Sequence, residues 1–315
     1  MATSQPARAT RAAATNVPAR RQQFSWTPYL FILPHLIFFA AFLAYPFFYG
    51  IYISLFNFDF LRPEFRPFVG FENYANLLFN RSSIQFSDFW HSVGNTGWFI
   101  LYSVPPLVIL ALGLAVLLNG KYPGRNLFRG LYFAPYALSV TVAAVLWRWL
   151  FEQGGLLDTY STKLGMQSVS WLGSQPWAWI AITLCTIWWT IGYNTVIFLA
   201  ALQDIPESLY EAAAIDGANS FQQFTSITIP MLRPVLVFVI TITLIASANL
   251  FGQSYIMTGT QSRVIGTESV IQKIYDEGIL QNRMGSAAAM SVLVAVALLI
   301  LTTLNFRVFG RAEEE

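Results

Sequence analysis

The sequence predicts an all-α protein of membrane-spanning helices, and three observations carry that prediction. The 315 residues are 55% hydrophobic and only 11% charged, whereas a soluble domain averages about a quarter charged residues. Six apolar segments are long enough to cross the roughly 30 Å of bilayer hydrocarbon as helices of about 20 residues. None of the six carries a central Asp or Glu. The expected spans are Tyr29–Ile53, Gly97–Leu118, Gly130–Phe151, Ala178–Ala201, Val235–Met257 and Met284–Val308.

Residues 1–27 precede the first span. They are rich in Ala, Thr and Arg, with Arg8, Arg11, Arg20 and Arg21 and no acidic residue. The apolar run behind them is too long for the core of a cleaved signal and lacks a small-residue cleavage site. A disordered basic cytoplasmic tail leading into an uncleaved span is expected. Pro34, Pro46, Pro105, Pro106 and Pro135 fall within spans; membrane helices tolerate proline where neighbours satisfy the freed carbonyls. The last span opens on Gly285-Ser286-Ala287-Ala288-Ala289, small residues that allow helices to approach closely. Residues 311–315 form a short cytoplasmic tail.

Basic residues near the early spans set orientation. The N-terminal tail and the segment after the second span hold seven (Arg8, Arg11, Arg20, Arg21, Lys121, Arg125, Arg129), against Arg62, Arg66 and Arg81 after the first. Both termini are therefore expected inside. Residues 57–93 and 152–176 form two sizeable outer loops, and residues 203–234 a connector on the cytoplasmic side.

That connector carries the most specific signal in the chain. Pro206 suits a first helical turn, where its missing N–H goes unbonded anyway. Glu207 follows where a helix N-terminus favours negative charge. Tyr210 to Ile215 has high helix propensity, and Asp216-Gly217 supplies a terminating turn. Ser220-Phe221-Gln222-Gln223 reads as a capping box opening a second helix, which Pro230 and Pro234 end. On these residues alone, a solvated connector and a docking surface stand as equal readings.

Glu211-Ala212-Ala213-Ala214-Ile215-Asp216-Gly217-Ala218, with Phe221, Ile227, Pro230 and Pro234 behind it, resembles the signature loop of permease subunits of binding-protein-dependent ABC importers. Upstream, Phe68-Val69-Gly70-Phe71-Glu72-Asn73-Tyr74, Asn95-Thr96, Arg129 to Pro135 and Leu146 to Phe151 are similar to the carbohydrate branch of that family, of the maltose-transporter and glycerol-phosphate-transporter kind. The resemblance covers roughly residues 28–310. It implies a permease fold with six spans in a bacterial or archaeal cytoplasmic membrane, translocating a sugar or sugar-like solute. It also implies a second permease subunit in a heterodimer, two ATPase subunits and an extracellular solute-binding protein. Glu211, Ala212, Ala213, Asp216 and Gly217 would dock into an ATPase cleft. ATP and magnesium would sit on those partners, with no cofactor on this chain.

Absent motifs agree with that division of labour. There is no G-x-x-x-x-G-K-[ST] phosphate loop, no H-E-x-x-H and no G-x-S-x-G. A single Cys185 excludes an internal disulfide, and one Cys with two His (His35, His91) leaves little for a transition-metal centre. A net charge of +2 gives no case for nucleic acid. Two rivals stay open: a secondary transporter driven by an ion gradient, which the lack of intramembrane carboxylates disfavours, and a permease of the amino-acid or phosphate importer branches.

Candidate solute-path residues lie in the fourth and fifth spans. Trp188, Trp189, Thr190, Tyr193 and Asn194 form an amphipathic patch; Trp189 and Tyr193, four apart, share a helix face. Ring faces against sugar C–H groups, with amides and hydroxyls for the oxygens, suit a carbohydrate site. Helix packing is the alternative, and for Trp188 it is the preferred one. Ser247, Asn249, Gln253 and Tyr255 interrupt the fifth span, and polar groups at that depth must face protein or water. Trp147-Arg148-Trp149 reads as a snorkelling anchor at an outer helix end.

Overall fold

The computed structural model describes residues 27–62, 64–165 and 167–309. The expected tails, residues 1–26 and 311–315, lie outside that range. By internal contacts the chain divides into two units, Met1–Phe48 and Tyr49–Glu315. The first holds α1 (Thr27–Phe39), a wider π-helical turn at Ala40–Ala44 and the start of α2 (Tyr45–Ile53).

The second unit continues with α3 (Glu72–Leu78), α4 (Ile84–Asn119), α5 (Arg125–Phe133), α6 (Val140–Phe151), α7 (Leu156–Lys163) and α8 (Trp177–Gln203). The connector follows as α9 (Glu207–Ile215), α10 (Ser220–Gln223) and α11 (Ile229–Met231). Then come α12 (Arg233–Ala248), α13 (Gly252–Thr258), α14 (Ser262–Ile265), α15 (Val270–Tyr275) and α16 (Met284–Phe309). Among the described residues the only β features are isolated bridges, Phe56 with Phe68 and Asp59 with Arg283.

Among the described residues, four helical stretches are long and apolar enough to cross a membrane singly, and the number reaches six when two sharply bent pairs each count as one span. Two expected spans are therefore corrected. Gly130–Phe151 is not one helix: α5 and a 3-10 turn at Ala134–Ala137 meet α6 at 97°. Ser139 starts α6 afresh, its Oγ accepting from Val142 N at 3.3 Å. Val235–Met257 is not continuous either, because α12 stops at Ala248 and α13 begins at Gly252. A strongly apolar run reads alike whether straight or folded back, so periodicity did not reveal these breaks.

The second span is longer than expected. At 36 residues, α4 extends about 54 Å, beyond the hydrocarbon thickness, and its first turns replace part of the anticipated outer loop. Pro105 and Pro106 sit inside it without ending it. Elsewhere a wide turn accommodates proline. The ring of Pro46 would crowd the carbonyl four residues back, at Phe42, within the Ala40–Ala44 turn. Pro230 has the same relation to Ser226 within a second such turn, Phe224–Thr228. So Pro230 does not end its helix, which runs on to Met231 before a 68° bend into α12. Pro234 lies in the first turn of α12.

Small residues bring α4, α8 and α12 together. Val104, Val108, Ala111 and Ala115 of α4 pack on Phe198, Leu199 and Leu202 of α8 and on Val239 of α12, with Ile205 and Leu232 in the same cluster. A second cluster joins Phe99, Ala144, Ala181, Ile182, Cys185, Leu250 and Met257. The elbow between α5 and α6 is seated on α8 main chain against main chain. A Cβ added at Gly192 would come 2.1 Å from Tyr132 O and 2.8 Å from Phe133 Cα. Only a residue without a side chain fits there.

Between α13 and α16 the chain builds a cap that the sequence did not announce. Its charges are buried: Glu268, Lys273 and Glu277 are each 3% exposed or less. Asp88 of α4 bridges Lys273 (3.0 Å) and Arg263, while Glu277 meets Lys273 at 3.6 Å, Arg283 at 3.6 Å and Gln85 at 3.1 Å. Ser254, Ser262 and Gln272 add a buried hydrogen-bonded chain that ties α13 to α15. Burial raises the Asp276 carboxyl above its ordinary range, against the opposing influence of Glu268, Lys273 and Arg263. Burial, reinforced by Asp276 and Asp88, pushes Glu268 up to about 7 against the opposing pull of Lys273 and Arg263.

Two predictions follow from packing and charge. Gly192→Ala should force the elbow off α8 and destabilise the protein by about 1–3 kcal/mol, read as a lowered Tm of the purified complex. The folded protein keeps a proton on Glu268 that the unfolded chain releases near its ordinary 4.5. Stability should therefore fall as pH rises from 4.5 towards 7 and level off above. Tm measured across that window should show the decline, and Glu268→Gln should flatten it.

Candidate functional site

The elbow and the α12–α13 break together enclose a cavity of about 820 Å³. Its walls come from α8, the turn before α6, the end of α12 and the start of α13. The structure brings all seven candidate path residues to it: Trp189, Tyr193, Asn194, Ser247, Asn249, Gln253 and Tyr255. Trp188 lies outside the lining and packs its ring 5.9 Å from that of Trp147.

Each wall group is held by its neighbours. Trp189 donates its indole N–H to Leu138 O (3.0 Å), a carbonyl that the elbow leaves without a helical partner. Asn194, buried, donates to Thr243 Oγ1 at 3.0 Å, and Ser247 accepts from Ser103 Oγ at 3.2 Å. Asn249 caps its own helix by donating to Ile245 O (2.8 Å). Tyr255 stacks on Phe251 with ring centroids 5.2 Å apart. Gln253 differs. It is 7% exposed and its side-chain amide has no hydrogen-bond partner among the described residues.

Sequence reasoning missed Tyr136. Its ring stacks on Tyr193 at 4.7 Å and lies 6.0 Å from that of Trp189. Read as mid-helix, Tyr136 had no reason to point inward; the elbow turns it into the cavity. Pro135 followed by Ser139 at an N-cap position was the available signal. On a continuous fifth span Ser247 and Gln253 would lie nearly two turns apart, and the break between Ala248 and Gly252 removes that relation. Arg148 donates to Ile256 O at 3.2 Å and sits 3.8 Å from Glu152, at a separate cleft of about 680 Å³.

At the opposite end of α8 the connector has the two expected helices. The α9 terminus is a Schellman arrangement: Gly217 takes φ 84°, its N–H donates to Ala214 O, and Ala218 N donates to Ala213 O. The capping box lies one residue upstream of the expected Ser220. Asn219 Oδ1 accepts from Gln222 N and Gln222 Oε1 accepts from Asn219 N, at 2.9 and 2.8 Å. Pro206 precedes the first helical residue as its N-cap. Tyr210 OH and Thr228 Oγ1, 2.9 Å apart, cross-brace the two helices.

Glu211, Ala212, Asp216 and Gly217 are exposed and Ala213 is half-buried. The Glu211 carboxylate has no partner among the described residues. Beside it stand two bare apolar side chains, Ile215 at 86% and Phe221 at 75% exposure. A rigid, cross-braced projection with apolar knobs and an unpaired carboxylate has the character of a docking surface.

Known proteins share this architecture. The model for "Binding-protein-dependent transport system inner membrane component" matches residues 95–312. An arabinooligosaccharides transport system permease protein of Bacillus subtilis is 30% identical over 95% of this chain and 96% of its own length. An sn-glycerol-3-phosphate transport system permease protein of Yersinia pestis is 36% identical over 91% and 95%. In the crystal structure of a bacterial alginate ABC transporter with an alginate pentasaccharide-bound periplasmic protein, one chain superposes with a TM-score of 0.75 at 25% identity, covering 90% of this chain and 93% of that one. A cavity between broken helices, a braced loop beyond it and the matches over most of the chain lead to one conclusion: this multi-pass membrane protein belongs to the inner membrane permease components of binding-protein-dependent ABC transport systems.

Proposed function

We propose that the chain is one of two permease subunits of a heterodimer that imports a sugar or sugar-like solute across the cytoplasmic membrane. Two ATPase subunits, which carry ATP and magnesium, dock on the inner connector, and an external binding protein delivers the solute. The termini and the connector face the cytoplasm. The observation that carries this reading is the pairing of an aromatic, amide- and hydroxyl-lined cavity with a braced inner loop on the continuation of the same helix, α8.

Glu211 meets a basic group of the ATPase while Ile215 and Phe221 fill apolar recesses beside it. Closure of the ATPases on ATP moves α9 to α11 as one body, because Tyr210–Thr228 and the Asn219–Gln222 box hold that body together. The motion reaches α8 through Leu202 and Ile205 and α12 through Leu232, all buried in one cluster. The cavity between α8 and α12 is then exposed to alternate sides.

Two outcomes test this. Glu211→Lys should leave membrane insertion intact but abolish ATPase co-purification and uptake, since it sets like charges together; normal uptake would remove the docking role. Tyr193→Ala should cut solute uptake by about threefold to tenfold, the value of one aromatic contact. It should leave ATPase stimulation by unliganded binding protein unchanged. A normal rate and apparent affinity would exclude Tyr193 from the path while leaving the permease assignment in place.

A further inference from the structure

The matched proteins are named for solutes of opposite electrical character: arabinooligosaccharides on one side, sn-glycerol-3-phosphate and the acidic polysaccharide alginate on the other. The charge map of this chain separates these classes. Not one cavity-lining residue is Asp, Glu, Lys, Arg or His. We infer that the cavity takes an uncharged saccharide and rejects phosphorylated and uronate solutes, with Tyr136 and Gln253 as specificity-determining residues. This rests on the permease reading above.

Desolvating a phosphate or carboxylate costs several kcal/mol unless a cation pairs with it. This wall offers none, and the four cations of α6 and of residues 263–283 are already engaged. Arg148 is held by Ile256 O and Glu152. Arg263 and Lys273 share Asp88, and Arg283 faces Glu277. An anion could recruit one of these four only by breaking such a contact.

What the wall does offer suits a neutral ring. Trp189, Tyr136 and Tyr193 form a continuous aromatic strip, with successive centroids 6.0 and 4.7 Å apart. Such faces present large apolar area to the C–H side of a saccharide. Across from polar neighbours that satisfy one another, the side-chain amide of Gln253 has no protein partner among the described residues and stays open to the cavity it lines, although the residue as a whole is only 7% exposed. An amide that faces the cavity and is engaged by no other side chain is free to bond a solute there. An amide donates to one hydroxyl and accepts from another without imposing charge.

The test uses cells that make the complete importer and the same strain with this chain deleted. Both receive labelled pentose and hexose mono-, di- and trisaccharides, sn-glycerol-3-phosphate, glucose 6-phosphate and a uronate trisaccharide. Restoring the chain should return ATP-dependent uptake of at least one uncharged saccharide and of no charged solute. Uptake of a charged solute overturns the inference while leaving the permease reading intact; recovery of no uptake of any solute overturns both. For the residues, Tyr136→Ala should lower uptake of the accepted saccharide by about tenfold. Tyr136→Phe, which keeps the ring and the elbow packing, should stay within about twofold. Gln253→Glu, matched in size, should lower uptake at least as much, with ATPase co-purification unchanged. Equal transport by Tyr136→Ala or Gln253→Glu removes that residue from the specificity set. A Tyr136→Phe loss as large as that of Tyr136→Ala overturns the stacking role.

Discussion

Interrupting a helix at membrane depth frees carbonyls that hydrocarbon cannot satisfy, and the second unit is organised around the side chains that meet them. Leu138 O, at the elbow before α6, receives the Trp189 indole. Leu250 O, at the break before α13, receives the Ser269 hydroxyl, and Ile256 O receives Arg148. In each case the donor comes from a different element than the acceptor. The bonds that make the breaks tolerable thus also fix the walls of the cavity between them.

The cap on the far side of α13 extends this bracing. Ser254 is bonded to Gln272 and to Thr267 O, so the helix that presents Gln253 and Tyr255 is tied to α15. Through Asp88, Lys273 and Glu277 that assembly is anchored to the N-terminal end of α4. A buried ion network of this kind is weak evidence for added stability, because desolvation offsets much of the attraction. Its clearer effect here is positional: α4 and α15 have one register in which Asp88, Lys273 and Glu277 meet.

Much of this was legible in the sequence and some was not, for identifiable reasons. The connector could be read closely because capping and turn chemistry are local; Asp216-Gly217 and the residues around Asn219 specify their own geometry. The position of the capping box slipped by one residue because Asn219 and Ser220 are both competent caps and only the fold chooses. The path residues in α8 and α12 were visible as polar interruptions of apolar helix. Tyr136 was not, since its role depends on an elbow that hydropathy does not register. The buried charges of residues 263–283 were equally hidden. Charged residues between two spans read as solvated loop until the packing of α15 on α4 is known.

The close approach at Gly192 separates two properties that most binding sites mix. Cavity shape is set where main chain meets main chain, between α8 and the end of α5, and no lining side chain takes part in that contact. Wall groups that brace no break, such as Tyr136, Tyr193 and Gln253, can accordingly be exchanged without redrawing the outline they stand on. A scaffold of this type is free to change its cargo through a few wall substitutions, and a library confined to Tyr136, Thr190, Tyr193 and Gln253 would vary selectivity over a constant frame.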